Sequence, residues 1–176
     1  MGNANNVPAD PAKDLDRVNS MAKFYAGPSE KFVGRALTYA EVFKKINNKN
    51  KRQVYLVDVR SANEREISMV DGAISQEEFE ARELDSYKEA EIVVYCTIGF
   101  RSGNYARMLK SKGMHVYNAQ GVVPFSHDEA CKFVHGDSKE PTKRIHVYGS
   151  YLNLVGPGYE AIMFPLWQQI RTFLGW

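Results

Sequence analysis

The chain of 176 residues carries 23 lysines and arginines against 21 aspartates and glutamates, a formal net charge of +2. Its length suits one α/β domain with extensions, and its hydrophobic fraction of 44% argues against a disordered chain. The basic residues form no cluster with interleaved aromatic side chains, so we expect no nucleic-acid partner. Two cysteines, Cys96 and Cys131, cannot form a disulfide framework, and we expect a reducing, cytoplasmic location.

The N-terminal residues are polar and rich in Asn and Pro, which predicts a flexible tail. Gly2 meets the first requirement for N-myristoylation, but Asn6 stands where Ser or Thr is favoured. No run reaches the roughly 18 apolar residues of a membrane span, so membrane contact would be peripheral. A short helix is predicted over residues 15–26, ended by Gly27 and Pro28.

Helical and strand patterns then alternate along the chain. Thr38 and Glu41 have the spacing of a capping box, and an apolar stripe follows them, which predicts a helix. Ser61 as N-cap with Glu64 three residues later predicts another, and a charged helical stretch is expected over residues 76–89. The apolar runs that predict strands are VYLVDVR (54–60), EIVVY (91–95) and MHVY (114–117). The order predicts an α/β fold, with a central parallel β-sheet and helices on both faces.

Cys96 lies in the segment VVYCTIGFRSG, between a predicted strand and a helix expected to start near Ser102. Ligands of open α/β sheets bind beyond the carboxyl ends of the strands, so the position of Cys96 favours a reactive role over a packing role. The loop amides, the helix N-terminus and the Arg101 guanidinium would favour the thiolate, which is the nucleophilic form. The alternative is an inert cysteine that fills the core, but Gly99, Arg101 and Ser102 together favour a reactive thiol.

Four segments resemble the rhodanese-like domain family, namely YLVDVRSANE, DGAI, VVYCTIGFRSGNYARMLKSKG and VYNAQGVVPF. The resemblance covers residues 37–125 and implies the rhodanese-like α/β fold. It divides the chain into three parts. A flexible tail with a short helix (1–36) precedes the domain, and a C-terminal extension (126–176) packs on the domain or forms an amphipathic helix.

The resemblance implies a sulfurtransferase that needs no cofactor or metal. Cys96 would take a sulfane sulfur from an anionic donor, such as thiosulfate or 3-mercaptopyruvate, and become a persulfide. It would pass the sulfur to cyanide or to a thiol such as thioredoxin or glutathione. The residues expected to bind the donor are Thr97, Ile98, Gly99, Phe100, Arg101 and Ser102. Asp58 and Arg60 match the family's strand signature, where we expect a structural role and a pair between Arg60 and Glu64.

Two other functions remain open. In the first, the fold is a non-catalytic scaffold that its terminal segments tether to a membrane or a partner. In the second, the protein is a phosphatase or an arsenate reductase. That class is less favoured, because four residues separate Cys96 from Arg101 where those enzymes have five, and Tyr95 stands where phosphatases commonly have His.

The other histidines and Cys131 give weaker signals. His127, Cys131 and His135 recur every four residues and would align on a helix, but no fourth zinc ligand is obvious and we expect no metal. Cys131 is expected to be a solvated or resolving thiol near the edge of the domain. His115 and His146 lie in apolar, strand-like runs and are expected to be packed rather than catalytic.

The C-terminal segment FPLWQQIRTFLGW predicts an amphipathic helix. Its apolar face consists of Leu166, Ile170, Phe173 and Leu174. This face would cover the domain, or it would contact a membrane surface or a partner. A lipid on Gly2 would then supply the second anchor that stable attachment needs.

Overall fold

The computed structural model describes residues 11–48 and 52–165. Its strands are β1 (Val54–Asp58), β2 (Met69–Val70), β3 (Ile74–Ser75), β4 (Glu91–Tyr95), β5 (His115–Asn118), β6 (Phe133–Val134), β7 (Arg144–His146) and β8 (Glu160–Ile162). Its helices are α1 (Pro11–Val33), α2 (Tyr39–Ile46), α3 (Ala62–Ile67), α4 (Gln76–Glu80), α5 (Phe100–Ser111) and α6 (Val122–Phe125). Short 3₁₀ turns span Leu84–Tyr87 and Ser150–Leu152.

The central sheet is parallel, with strand order β3-β1-β4-β5. Both of its faces are covered, because alternate residues of β4 enter different apolar clusters. Val93 and Tyr95 pack in a cluster with residues of α1, α2 and α6, whereas Ile92 and Val94 pack in one with residues of α4 and α5. Burial on both faces explains the continuous apolar runs of the central strands. The predicted α/β fold, with a central parallel sheet between helices, is confirmed.

The segment after α6 packs on the domain. Strand β6 pairs with β2 in an antiparallel ribbon, and β7 pairs with β8 in parallel. Phe133, Ile145, Val147 and Leu152 from this segment are buried in the same cluster as Tyr95. Gly2 and the apolar face of the predicted C-terminal amphipathic helix lie outside the described residues, which end at Pro165. Within the described residues, none of the helices combines the length and apolar character needed to cross a membrane.

Helix α1 is longer than the sequence predicts, so the expected end at Gly27 and Pro28 is wrong. The helix continues to Val33 with Pro28 inside it. Tertiary packing explains the continuation, because one face of α1 is buried and helices in proteins owe most of their stability to such a face. The buried positions recur every three or four residues and are Val18, Ala22, Ala26, Ser29 and Val33.

Two other helix boundaries differ from the prediction. The charged stretch 76–89 is not one helix, because α4 ends at Glu80 and a 3₁₀ turn follows. The rings of Phe79 and Tyr87 stack with centroids 4.4 Å apart, so the chain must turn back between them. Helix α5 begins at Phe100, two residues before the expected start near Ser102.

Candidate active site

Cys96 directly follows β4, at the carboxyl end of the central sheet, and is only 2% exposed. Two groups donate hydrogen bonds to its sulfur. The Gly99 amide lies 3.2 Å from Sγ, and the Ser102 hydroxyl lies 3.4 Å from it. Gly99 has φ of +89°, a left-handed conformation that turns the loop back toward the sulfur and suits a residue without Cβ. The loop and the first turn of α5 therefore place two hydrogen-bond donors next to the sulfur of Cys96, the thiol that the sequence predicts to be reactive.

The N-terminus of α5 contributes further donors beside the sulfur. Gly99 is the N-cap, so Ser102 lies in the first turn and does not cap the helix. The hydrogen bond from Gly103 to Gly99 O, 3.1 Å long, is the first of the helical series. The amides of Phe100 and Arg101 precede it and have no intrahelical acceptor. Together with the partial positive charge of the helix end, these amides suit an anion.

A cavity of about 300 Å³ adjoins Cys96. Four of its lining residues come from the loop and the start of α5, namely Thr97, Ile98, Phe100 and Arg101. The opposite walls come from distant parts of the chain. Tyr25 projects from α1, and Tyr148, Tyr151 and Leu152 come from the segment after β7. The sequence predicted the loop side of this cavity and missed its aromatic side.

Arg101 forms a bidentate ion pair with Glu64. Each of its Nη atoms lies 2.8 Å from one oxygen of the carboxylate. The Glu64 side chain is fully buried, and the Arg101 side chain is 28% exposed. The positive charge that we expected to hold an anionic donor is therefore balanced by a carboxylate of the protein, although Arg101 still lines the cavity.

Glu64 is the centre of a wider polar network. The Ser61 amide and hydroxyl donate to its Oε2 as a capping box, and the Tyr148 hydroxyl donates to the same oxygen at 3.1 Å. On the other side, Nδ1 of His146 lies 3.4 Å from Oε1, although neither ring nitrogen has a hydrogen bond within the described chain. Burial opposes the ionised carboxylate, but the contacts with His146 and Arg101 outweigh it and hold the pKa of Glu64 well below its usual range.

Arg60 pairs with Asp58, not with Glu64, so the pairing expected from the sequence is wrong. Its Nη2 lies 2.7 Å from the Asp58 carboxylate, and both side chains are fully buried. The same Nη2 donates to Ser68 O at 2.5 Å. Glu64 instead pairs with Arg101. Asp58 and Arg60 thus tie the end of β1 to the end of α3 and do not line the cavity.

His127, Cys131 and His135 do not share a helix, because the chain there forms turns that lead into β6. His127 contacts Leu154 O, His135 contacts Glu66 O, and Cys131 is buried. Burial raises the pKa of the Cys131 thiol, so it is not the solvated or resolving thiol that we expected. No group of three metal-binding side chains occurs in residues 11–48 and 52–165.

His146 is fully buried, as expected of a packed residue, and stacks on Phe164 with centroids 4.0 Å apart. His115 is exposed at the start of β5, so the expectation that it is packed is wrong. The position of His146 behind Glu64 was not expected. One pattern in the sequence does indicate that His146 lies on the same side of the chain as Tyr148. In the run RIHVY, His146 and Tyr148 are two residues apart, so a strand would direct both side chains to the same side.

The comparison with known sequences agrees with this geometry. Residues 39–123 match the family model of the Rhodanese-like domain. No match was found among the curated proteins. The matched region includes Cys96, Arg101 and Glu64, whereas Tyr25 and Tyr148 lie outside it on either side.

Three solved structures resemble parts of the chain. A protein from Staphylococcus saprophyticus has 24% identity over 55% of this chain and 96% of its own, with a TM-score of 0.44. The Rhodanese-like Domain Protein from Staphylococcus aureus has 23% identity over 55% and 94%, with a TM-score of 0.44. Reduced CoADR-RHD from Bacillus anthracis has 30% identity over 52% of this chain and 16% of that chain, with a TM-score of 0.41.

Proposed function

We propose that the protein is a sulfurtransferase in which Cys96 carries the transferred sulfur as a persulfide. The observation that supports this most directly is the setting of Sγ. It accepts hydrogen bonds from the Gly99 amide and the Ser102 hydroxyl, and it adjoins a cavity at the N-terminus of α5. Donors fixed around a sulfur stabilise negative charge on it, both in the thiolate and in the persulfide.

The reaction has two steps. The Cys96 thiolate attacks the outer sulfur of thiosulfate, a new S–S bond forms, and sulfite leaves with the electron pair of the bond that breaks. The thiolate of an acceptor then attacks the outer sulfur of the persulfide and leaves as a persulfide itself, which restores Cys96. Glutathione or thioredoxin is the acceptor that we propose, in a reducing compartment where such thiols persist. A covalent intermediate between two substrates gives ping-pong kinetics.

The remaining polar residues hold the loop in shape. Glu64 fixes the Arg101 side chain at two points and also accepts a hydrogen bond from Thr97 Oγ1 at 3.3 Å. Thr97 and Arg101 belong to the loop and the start of α5 that curl around the sulfur. A fixed loop keeps the donors aimed at Sγ before substrate arrives, and this preorganisation is what makes such donors effective.

Intact-protein mass spectrometry tests the proposal. Wild-type protein, Cys96→Ser and Cys131→Ser are each incubated with thiosulfate and, separately, with 3-mercaptopyruvate. We expect wild type and Cys131→Ser to gain the mass of one sulfur atom and to lose it on addition of glutathione, whereas Cys96→Ser gains nothing. An adduct that persists in Cys96→Ser would contradict the assignment. A wild-type protein that no sulfur donor loads would favour the non-catalytic scaffold.

A further inference from the structure

Helices α1 and α5 pack side by side and extend from the cavity beside Cys96 to a second cavity. Tyr25 of α1 and Phe100 of α5 line the first cavity. Seven residues farther along each helix, Phe32 and Arg107 line the second, an open groove of about 690 Å³. An α-helix rises about 1.5 Å per residue, so these seven residues span about 10 Å. The groove is therefore close enough to Cys96 for one short ligand to occupy both cavities.

Three basic side chains lie at the groove, and none of them has an acidic partner in the part of the chain that the structure describes. Two of them contact the Phe32 ring, with Lys31 Nζ 4.9 Å and Arg107 Cζ 5.0 Å from its centre. The third, Lys110, lines the groove one helical turn after Arg107. The side chains that line the groove include no carboxylate. The groove therefore presents a cluster of unbalanced positive charge.

This cluster does not stabilise the helices that carry it. Arg107 and Lys110 are three residues apart on α5, and like charges at that spacing repel each other. The contact with Phe32 orients Lys31 and Arg107 but does not neutralise them. All three side chains are exposed, so an anionic partner can reach them without a change in the fold. Charge of this kind steers and orients a partner of the opposite charge.

Exposed aromatic rings near the groove favour a protein as that partner. Phe24 is 76% exposed and Phe100 is 47% exposed. The Phe24 ring packs edge-on against Tyr25, a wall of the cavity beside Cys96, with centroids 5.4 Å apart. Aromatic and arginine side chains are enriched in protein interfaces. A sulfur carried by Cys96 also passes to a thiol, which a protein supplies and an ordinary nucleic acid does not.

We propose that the groove between α1 and α5 docks an extended acidic segment of a partner protein whose cysteine takes the sulfur from Cys96. This inference rests on the proposed function and concerns its acceptor. The partner's thiolate attacks the outer sulfur of the Cys96 persulfide and forms a new S–S bond. The S–S bond to Cys96 breaks, and Cys96 leaves as a thiolate with the electron pair.

The distance between the two cavities sets the spacing in the partner. An extended chain advances about 3.3 Å per residue, so about 10 Å corresponds to three or four residues. With its cysteine in the cavity beside Cys96, the partner would bring acidic side chains to Arg107 and Lys110 if they stand three and four positions from that cysteine. This spacing defines the peptides that test the proposal.

The first test measures sulfur transfer from the loaded full-length protein to capped peptides by rapid-quench mass spectrometry. One peptide carries a cysteine with glutamates three and four positions away, and the matched peptide carries glutamines there. Both are made in both chain orders. We expect the ratio of the two rates to fall about fivefold in Lys110→Glu, the scale of exposed ion pairs, and the wild-type ratio to fall at high salt.

The control for this test is Lys44→Glu. Lys44 is an exposed lysine in the last turn of α2, as Lys110 is in the last turn of α5, so both variants make the same change of charge at the same kind of position. Because each rate ratio is taken within one variant, a general effect of the substitution on persulfide chemistry cancels. We expect Lys44→Glu to keep the wild-type ratio.

The second test needs no turnover. Binding of the same peptides, labelled and with serine in place of cysteine, to the Cys96→Ser protein is measured by fluorescence anisotropy. We expect the glutamate peptide to bind about fivefold tighter than the glutamine peptide, and Cys96→Ser/Lys110→Glu to lose that difference. A labelled oligothymidylate of the same length serves as the competing class of ligand. If it binds more tightly than the glutamate peptide, the groove does not select an acidic protein segment and the proposal is overturned.

The two tests separate this inference from the proposed function. Equal binding of the two peptides, or a rate ratio that Lys110→Glu leaves unchanged, would overturn the acidic partner even if Cys96 transfers sulfur to both peptides. A Cys96 that no donor loads would overturn the sulfurtransferase and the acceptor role of the partner with it, whatever the affinity for the peptides.

Discussion

The hydroxyl of Tyr148 donates a hydrogen bond of 3.1 Å to Oε2 of Glu64 and thereby joins the segment after β7 to the ion pair behind the cysteine loop. Glu64 and Arg101 lie within the residues that match the Rhodanese-like domain model, whereas Tyr148 lies outside them. One side chain thus serves both as a cavity wall and as a ligand of the buried carboxylate. The segment after β7 therefore lines the cavity beside Cys96 and also packs on the core.

Removal of the Tyr148 hydroxyl should cost stability while the aromatic wall remains. We expect Tyr148→Phe to lower the free energy of unfolding by about 1.5 kcal/mol, the value of a hydrogen bond to a charged group. Urea unfolding measures the change. The matched control is Tyr151→Phe, which removes a hydroxyl from the same cavity without a carboxylate partner and should change stability by less than about 0.5 kcal/mol. Equal losses in the two variants would contradict the role of this contact.

The charge of Glu64 should contribute more to the free energy of unfolding than the charge of an exposed carboxylate does. Glu64→Gln leaves Arg101 without its counter-charge, and breaking a buried ion pair costs about 3 kcal/mol or more. The control is Glu77→Gln, whose carboxylate also pairs with an arginine, Arg65, but is 67% exposed. We expect a loss of less than about 1 kcal/mol there. If chemical denaturation gives equal losses, Glu64 is not the centre of the network.

The stabilisation that Glu64 provides should depend on pH, and comparison with the Glu64→Gln variant measures this dependence. The native pKa of Glu64 lies well below its usual value of 4.5, so its contribution to stability is complete above that pH and is lost as the pH falls toward the native pKa. We therefore expect the difference in unfolding free energy between wild type and Glu64→Gln to be constant near neutral pH. It should shrink steadily below pH 4.5. A difference that stays constant through this acid range would contradict the lowered pKa.

The packing of helix α1 on α5 should require the absence of a side chain at Gly103. A Cβ on Gly103 would lie 2.5 Å from Ser29 Oγ and 2.9 Å from Ser29 Cβ, so one of the helices would have to shift. We expect Gly103→Ala to destabilise the protein by about 1–3 kcal/mol, as other overpacked cores do. Gly27→Ala makes the same change in α1 where a Cβ meets nothing within 4 Å, and it should stabilise by about 1 kcal/mol through helix propensity. Thermal unfolding of the two variants should therefore shift in opposite directions.

The Ser102 hydroxyl should affect the rate of persulfide formation more than the stability of the protein. Ser102→Ala removes one of the two donors to Cys96 Sγ, and we expect persulfide formation to slow roughly tenfold. Ser111→Ala is the control on the same helix, because its exposed hydroxyl bonds only to Met108 O. Both variants should keep the wild-type unfolding midpoint within a few degrees. An unchanged rate in Ser102→Ala would remove this hydroxyl from the proposed mechanism.

Local patterns in the sequence were sufficient for three of the four strands of the central sheet, but not for β3, and they were sufficient for the position of the cysteine loop. The apolar runs at 54–58 and 91–95 predict buried parallel strands because such strands are covered on both faces. The capping boxes at Thr38 and Ser61 are satisfied by the residue three positions on, so spacing alone predicts them. The position of Cys96 after a strand and before a helix also depends only on neighbours in the chain.

Tertiary structure decided which partners these residues have. Arg101 reaches Glu64 across 37 positions and Tyr148 reaches it across 84, and no local periodicity reports contacts at such separations. Packing against α5 likewise carries α1 through Pro28, where local propensity predicts an end. The sequence by itself determined strands β1, β4 and β5, the caps and the thiol at the end of β4, because each depends on residues within one element or next to it. The charge balance of Arg101 and the aromatic walls around the sulfur were decided only when distant segments packed together, because burial and pairing across the fold have no local signature.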